Sequence, residues 1–170
     1  MSLSDARRTD PEVPAFTLRQ EIADFLGRKR IAVVGVSTQP ISFSRGLFRE
    51  FVKRGYDVIP VNPKAEEMEG RECYASVRDI DPPPGAALIM TSVEHTDAVV
   101  HDCAEAGVDS VWMFRGTGAG AVSGSAVEFC REQGIRVIPG ECPFMFFENC
   151  GFPHSWHGWL RTTFSPALRH

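Results

Sequence analysis

The chain has 170 residues, of which 43% are hydrophobic and 24% charged, and its formal net charge is −4. This length suits one domain around one core, no apolar stretch approaches the roughly 20 residues of a membrane helix, and the acidic balance argues against a nucleic-acid role resting on a broad basic surface. A local basic pocket for an anionic ligand remains open, and five scattered cysteines (Cys73, Cys103, Cys130, Cys142, Cys150) without a Cys-x-x-Cys pair read as reduced thiols, neither a disulfide framework nor a zinc ribbon.

Residues 1–16 are polar, charged and proline-containing, with no apolar run ahead of a small-residue cleavage site, so the expectation is a cytoplasmic protein with a loose N-terminal arm. Thr17 with Gln20 reads as a capping box, followed by a helix with Leu18, Ile22, Phe25 and Leu26 on one stripe and an end near Gly27. Ile31, Ala32, Val33, Val34, Gly35 and Val36 form a nearly continuous apolar run, as in a strand buried on both faces of a parallel sheet. A loop over residues 37–43 follows. Ser44 is then expected to cap a helix carrying Leu47, Phe48, Phe51 and Val52, stopped by Gly55, before a second strand over residues 56–61.

Residues 70–80 allow a short strand and a helical turn, and Pro82-Pro83-Pro84 marks a connection. The alternation resumes with a strand over residues 86–90, a helix over 96–106 stopped by Gly107, and a strand over 110–114. Beyond the glycine-rich residues 116–120, a helix with Ala126, Val127, Phe129 and Cys130 stops at Gly134 and feeds a last strand over 135–138. Strands joined by helical crossovers imply a Rossmann-like α/β fold: a doubly wound, mainly parallel sheet with helices on both faces. The domain is expected to span residues 17–146. Residues 147–170 form an aromatic tail expected to pack on it, on a second copy or on a protein partner.

In such a sheet, ligands bind outside the carboxyl ends of the strands, where strand order reverses. The candidate site residues therefore follow the strands: Gly35, Val36, Ser37, Pro40, Ser42, Ser44 and Arg45; Val61, Asn62, Pro63 and Lys64; Thr91, Ser92 and Val93; Arg115 and Gly116; Cys142 and Pro143. Ser37 and Pro40 stand where a dinucleotide fingerprint has its second and third glycines, and Asn62 stands where an NAD site places an acid for the ribose hydroxyls. Both departures disfavour NAD. A helix N-terminus with Ser37, Ser42, Ser44 and Arg45, together with Lys64, can hold phosphates through amides, hydroxyls and fixed charge. The serines can equally be plain caps.

These residues carry a resemblance. Ile31-Ala32-Val33-Val34-Gly35-Val36-Ser37, Pro40, Gly55-Tyr56-Asp57-Val58-Ile59-Pro60-Val61-Asn62-Pro63, Gly70 with Tyr74 and Ser76, and Val137-Ile138-Pro139-Gly140-Glu141-Cys142-Pro143 resemble the bacterial CoA-binding domain family over about residues 30 to 145. That family is similar to the CoA-binding half of succinyl-CoA synthetase α subunits. The resemblance implies that CoA or an acyl-CoA lies across the carboxyl edge, with its phosphates near Gly35, Ser37, Pro40, Asn62, Pro63 and Lys64. Many members put a basic residue two positions after the proline, where this chain has Ser42, so Arg45 or Lys64 is expected to supply the charge.

The main expectation is a CoA-binding or sensing module without chemistry of its own. Its alternatives are an acyl-CoA or thiol-transfer enzyme using Cys142 or His95, and a nicotinamide-binding redox sensor. No nucleophile, base and orienting residue can be assembled from spacing. Cys142, Cys150, His154 and His157 follow no recognised zinc spacing, so no metal is expected.

Overall fold

The apolar runs become strands of one sheet in the computed structural model, which describes residues 17–116 and 118–147. The chain runs α1 (Leu18–Gly27), β1 (Arg30–Val34), α2 (Phe43–Lys53), β2 (Asp57–Val61), β3 (Glu67–Met68) and β4 (Arg71–Glu72), then a 3₁₀ turn (Val77–Asp79). It continues through β5 (Ala86–Ile89), α3 (Val93–Glu105), β6 (Ser110–Met113), α4 (Gly124–Glu132), β7 (Arg136–Pro139) and a second 3₁₀ turn (Pro143–Met145).

Five strands form a parallel sheet in the order β2-β1-β5-β6-β7. From β1 the chain first moves outward to β2, then returns to the other side of β1 to lay down β5. Strand order therefore reverses between β1 and β5, which locates the ligand crevice of an open α/β sheet.

The pleat sends alternate residues to opposite faces. Ile31, Val33, Leu88, Trp112 and Ile138 cluster with Phe25 of α1 and Leu47, Phe48 and Phe51 of α2. Ala32, Val34, Ala87, Ile89, Val111 and Met113 cluster with Val100 and Cys103 of α3 and Ala126, Val127 and Cys130 of α4. Because both faces are covered, the strands are apolar throughout instead of alternating, which is what made them visible as runs. Phe25 meets Trp112 edge to face, with ring centroids 5.2 Å apart.

The amino edge of the sheet is closed by charge. Arg28 pairs with Asp24 and Asp109, both at 3.1 Å, and Arg136 pairs with the same two carboxylates at 3.0 and 3.1 Å. Among the described residues no helix is long and apolar enough to cross a membrane.

Strand ends shift by one or two residues from the sequence expectation, and three local features differ in kind. The N-cap of α2 is Ser42, not Ser44: Ser42 is extended (φ −68°, ψ 156°), and its hydroxyl accepts from the Arg45 amide at 3.3 Å. Ser44 lies inside the helix, buried against the preceding loop. The start of α3 is Val93, with Ser92 as N-cap, while Thr96 lies within the helix and its hydroxyl donates to the Ala121 carbonyl at 2.9 Å. The single short strand expected near Gly70 is a β3–β4 hairpin, turned by Glu69 (φ 55°) and Gly70 (φ 71°). Two consecutive left-handed residues are what a tight hairpin turn with the right twist requires.

Candidate ligand-binding site

At the switch point between β1 and β5 the first loop can close on its neighbour because residue 35 has no side chain. The Gly35 amide donates to the Val61 carbonyl at 2.9 Å, its φ is +86°, and a Cβ there would stand 2.8 Å from the Thr91 nitrogen. The first loop thus packs directly on the loop that follows β5. Val36 is buried behind it. Ser37 turns its amide onto the Ser44 hydroxyl at 2.9 Å, and Ser44 lies 3.2 Å from the Ser42 hydroxyl, so three serines fix the loop on the first turn of α2. Pro40 lies in the exposed part of this loop.

Asn62 joins the loop after β2 to the first loop. Its side-chain amide donates to the Val36 carbonyl at 2.8 Å, and its side-chain oxygen accepts from the Lys64 amide at 2.8 Å. An ionised Asp at this position has no donor for Val36. The residue that disfavours a nicotinamide site is therefore also the clasp of the crevice. Val61 is buried, whereas Pro63 and Lys64 are exposed in the turn that follows.

Beside the clasp lies a cleft of about 540 Å³, lined by Phe43, Met90, Thr91, Phe114, Gly116, Gly120, Ala121 and Cys142. Its lining carries no charged side chain. Phe43 is 48% exposed and stacks on Phe114 with centroids 5.1 Å apart, with Phe144 edge-on at 5.6 Å. A half-exposed aromatic over an apolar cleft suits a ligand with an apolar or amide-bearing arm. Gly120 (φ +58°) is required because a Cβ would stand 2.6 Å from the Phe114 carbonyl. The far wall is anchored by Trp112, whose buried indole N–H donates to the Glu141 carbonyl at 2.8 Å.

Of the candidate residues, Thr91, Gly116 and Cys142 line the cleft, while Gly35, Ser37, Ser44 and Asn62 build the crevice beside it. Ser92 and Val93 are the N-cap and first residue of α3. Pro143 is buried in the last 3₁₀ turn. Arg115 extends over Gly140, where a Cβ would stand 2.8 Å from a guanidinium nitrogen. Sequence reading missed Met90, Phe114 and Ala121, and it did not single out Phe43 or Gly120 within the loops it marked. The available signal was a phenylalanine in the first turn of α2 that its own apolar face did not need.

The charges also differ from expectation. Arg45 does not stand open to an anion: it is paired with Glu69, donating through Nε at 2.7 Å and through a second, shorter contact, and it reaches the Ser37 carbonyl at 3.4 Å. Arg49 joins the same carboxylate at 2.8 and 3.0 Å. The hydrogen bonds from Arg49 and Arg45 hold the Glu69 carboxyl below its ordinary pKa.

Two buried thiols are pushed away from reactivity, since burial raises Cys103 well above the usual range and Cys130 to about 11. His95 is exposed in the first turn of α3. Of the expected aromatic tail, Phe147 is buried against Phe51, while Cys150, His154, His157 and the rest of residues 148–170 lie outside the described residues, within which no His, Cys, Asp and Glu cluster suited to a metal occurs.

A parallel sheet with a glycine-led loop at its switch point and an uncharged cleft alongside defines a Rossmann-like ligand-binding domain. The chain belongs to the CoA binding domain family, whose model matches residues 29–148. It is similar to YneT of Bacillus subtilis, itself described as uncharacterized, with 31% identity over 125 residues covering 73% of this chain and 90% of that protein. It is also similar to the alpha subunit of an ADP-forming acetate–CoA ligase II from Pyrococcus furiosus, 29% identical over 125 residues, covering 69% of this chain but only 27% of that subunit. A solved structure of a hypothetical protein from Pyrococcus horikoshii OT3 superposes with a TM-score of 0.69 at 27% identity, over 83% of this chain and 94% of that one.

Proposed function

We propose that this chain binds CoA or an acyl-CoA across the carboxyl edge of its sheet, as a cytoplasmic binding or sensing module. The observation that carries the reading is the crevice itself. Gly35 lets the first loop pack on Thr91, Asn62 clasps the loop after β2, and the crevice leads into an uncharged cleft. CoA has matching halves, a polyanionic nucleotide and an uncharged pantetheine arm. The amides of the first loop and the N-terminus of α2 would face the diphosphate, with Lys64 adding fixed charge from the loop after β2. The arm would run beneath Phe43 and Phe114 towards Cys142.

The ligase activity named for the Pyrococcus furiosus protein is not carried over, because the match spans 27% of that subunit. Against an enzymatic reading through His95 stands its exposed position outside the cleft lining, whereas Cys142, the other candidate, lines the cleft.

Titration calorimetry of Lys64→Ala and Arg136→Ala at two salt concentrations tests the placement. Lys64 follows β2 at the carboxyl edge, while Arg136 is spent on Asp24 and Asp109 at the opposite edge. A charge-assisted contact to phosphate in a partly enclosed cleft is worth about 1.5 kcal/mol or more, so Lys64→Ala is expected to weaken CoA binding by at least about tenfold. That loss shrinks as salt rises. Arg136→Ala is expected to lower stability and leave affinity unchanged. Equal affinity for wild type and Lys64→Ala would remove the phosphates from this loop.

A further inference from the structure

We infer that Arg45 and Arg49 form the subsite for the phosphomonoester of CoA, and that Glu69 occupies this subsite in the ligand-free chain. The inference rests on the proposal that CoA binds at this edge, and adds to it a residue that opposes binding.

The two arginines lie one turn apart on α2, and both point their guanidinium groups at one carboxylate. Arg45 donates from Nε and Nη2 to Oε1 of Glu69, while Arg49 donates from Nη2 to Oε1 at 2.8 Å and from Nε to Oε2 at 3.0 Å. Arg45 also touches the Ser37 carbonyl, so the cluster abuts the first loop. Glu69 arrives from the turn of the hairpin that follows Lys64, so the cluster joins α2 to the segment after β2, on the β2 side of the first loop.

Charge is unbalanced here, with two guanidinium groups sharing one monoanion. A phosphomonoester near neutral pH approaches a dianion with three acceptor oxygens, and guanidinium forks match phosphate as well as carboxylate. It would balance the pair more fully than Glu69 does. Glu69 is also held against a local preference, because a non-glycine residue at φ 55° occupies the left-handed region. Access is open from the outside, since the Arg49 side chain is 48% exposed whereas that of Arg45 is 12% exposed. The diphosphate has other donors in the loop amides, which leaves the ribose phosphomonoester as the group for this pair.

The test is calorimetric titration of wild type, Glu69→Gln and Arg49→Gln with CoA and with 3′-dephospho-CoA, with thermal melts to confirm folding. Glu69→Gln removes the competing charge and is expected to bind CoA about fivefold tighter, equivalent to about 1 kcal/mol, while its affinity for 3′-dephospho-CoA stays as in wild type. Arg49→Gln is expected to weaken CoA alone. Unchanged or weaker CoA binding by Glu69→Gln would overturn the inference, because Glu69 would then be orienting the arginines for the ligand. An equal gain for both ligands would overturn it too, by assigning the arginines to the diphosphate. A wild-type chain that binds neither ligand would remove the parent proposal as well, which separates that failure from the other two.

Discussion

Replacing Asn62 by Asp tests whether the clasp between the two crevice loops acts through its donor. The change is nearly isosteric and keeps the oxygen that accepts from the Lys64 amide, but removes the N–H that reaches the Val36 carbonyl at 2.8 Å. The carbonyl of buried Val36 then faces a carboxylate instead of a donor. An acceptor left without its partner in such a place costs about 1 to 3 kcal/mol. At roughly 2 to 4 °C per kcal/mol for a chain of this size, Asn62→Asp is expected to lower the melting temperature by about 2 to 12 °C at neutral pH. Urea unfolding is expected to show an earlier midpoint with an unchanged slope. Below the pKa of the new carboxyl group, its protonated form regains a donor and the gap to wild type narrows. A variant within about 0.5 kcal/mol of wild type at neutral pH would refute the clasp.

Three further perturbations follow from other contacts. Gly35→Ala combines a left-handed backbone with a Cβ 2.8 Å from the Thr91 nitrogen; it is expected to cost about 2 to 5 kcal/mol in chemical denaturation, and a loss under about 1 kcal/mol would mean that the loops separate freely. Trp112→Phe removes the only N–H of the buried indole from the Glu141 carbonyl and is expected to cost about 2 to 4 kcal/mol, with a change below about 1 kcal/mol counting against that anchor. The Glu69 carboxyl is held below its ordinary pKa by Arg49 and Arg45, so its contribution to stability is complete above the usual carboxylate range and lost as pH falls through the depressed folded value. Wild type is therefore expected to lose stability more steeply than Glu69→Gln as pH falls below the ordinary carboxylate range, and parallel pH profiles would count against the ion-pair cluster.

The sheet was legible because its strands are buried on both faces. Runs such as Ile31 to Val34 and Ala86 to Ile89 need no periodicity to be recognised, and glycines after the helices marked their ends. Asn62 and Gly35 were legible as residues of the carboxyl edge, but the contacts they make with Val36 and Thr91 are fixed only by the strand order. Ser42 and Ser44 both offer a hydroxyl near the start of α2, and composition does not decide which one caps; packing of Ser44 under Ser37 decides it. The β3–β4 hairpin has strands of two residues each, too short for any pattern. Glu69 consequently went unnoticed, and Arg45, which it neutralises across 24 residues of sequence, was expected to be open to phosphate.

The central claim is that the crevice takes CoA, and thermal unfolding with CoA or NAD at equal concentration tests it most directly. A ligand that binds only the folded chain stabilises it by about 2.7 kcal/mol at one hundred times its Kd. CoA is expected to raise the melting temperature by several degrees, with NAD leaving it unchanged because Asn62 cannot serve as the ribose-binding acid. A rise with NAD and none with CoA would contradict the account.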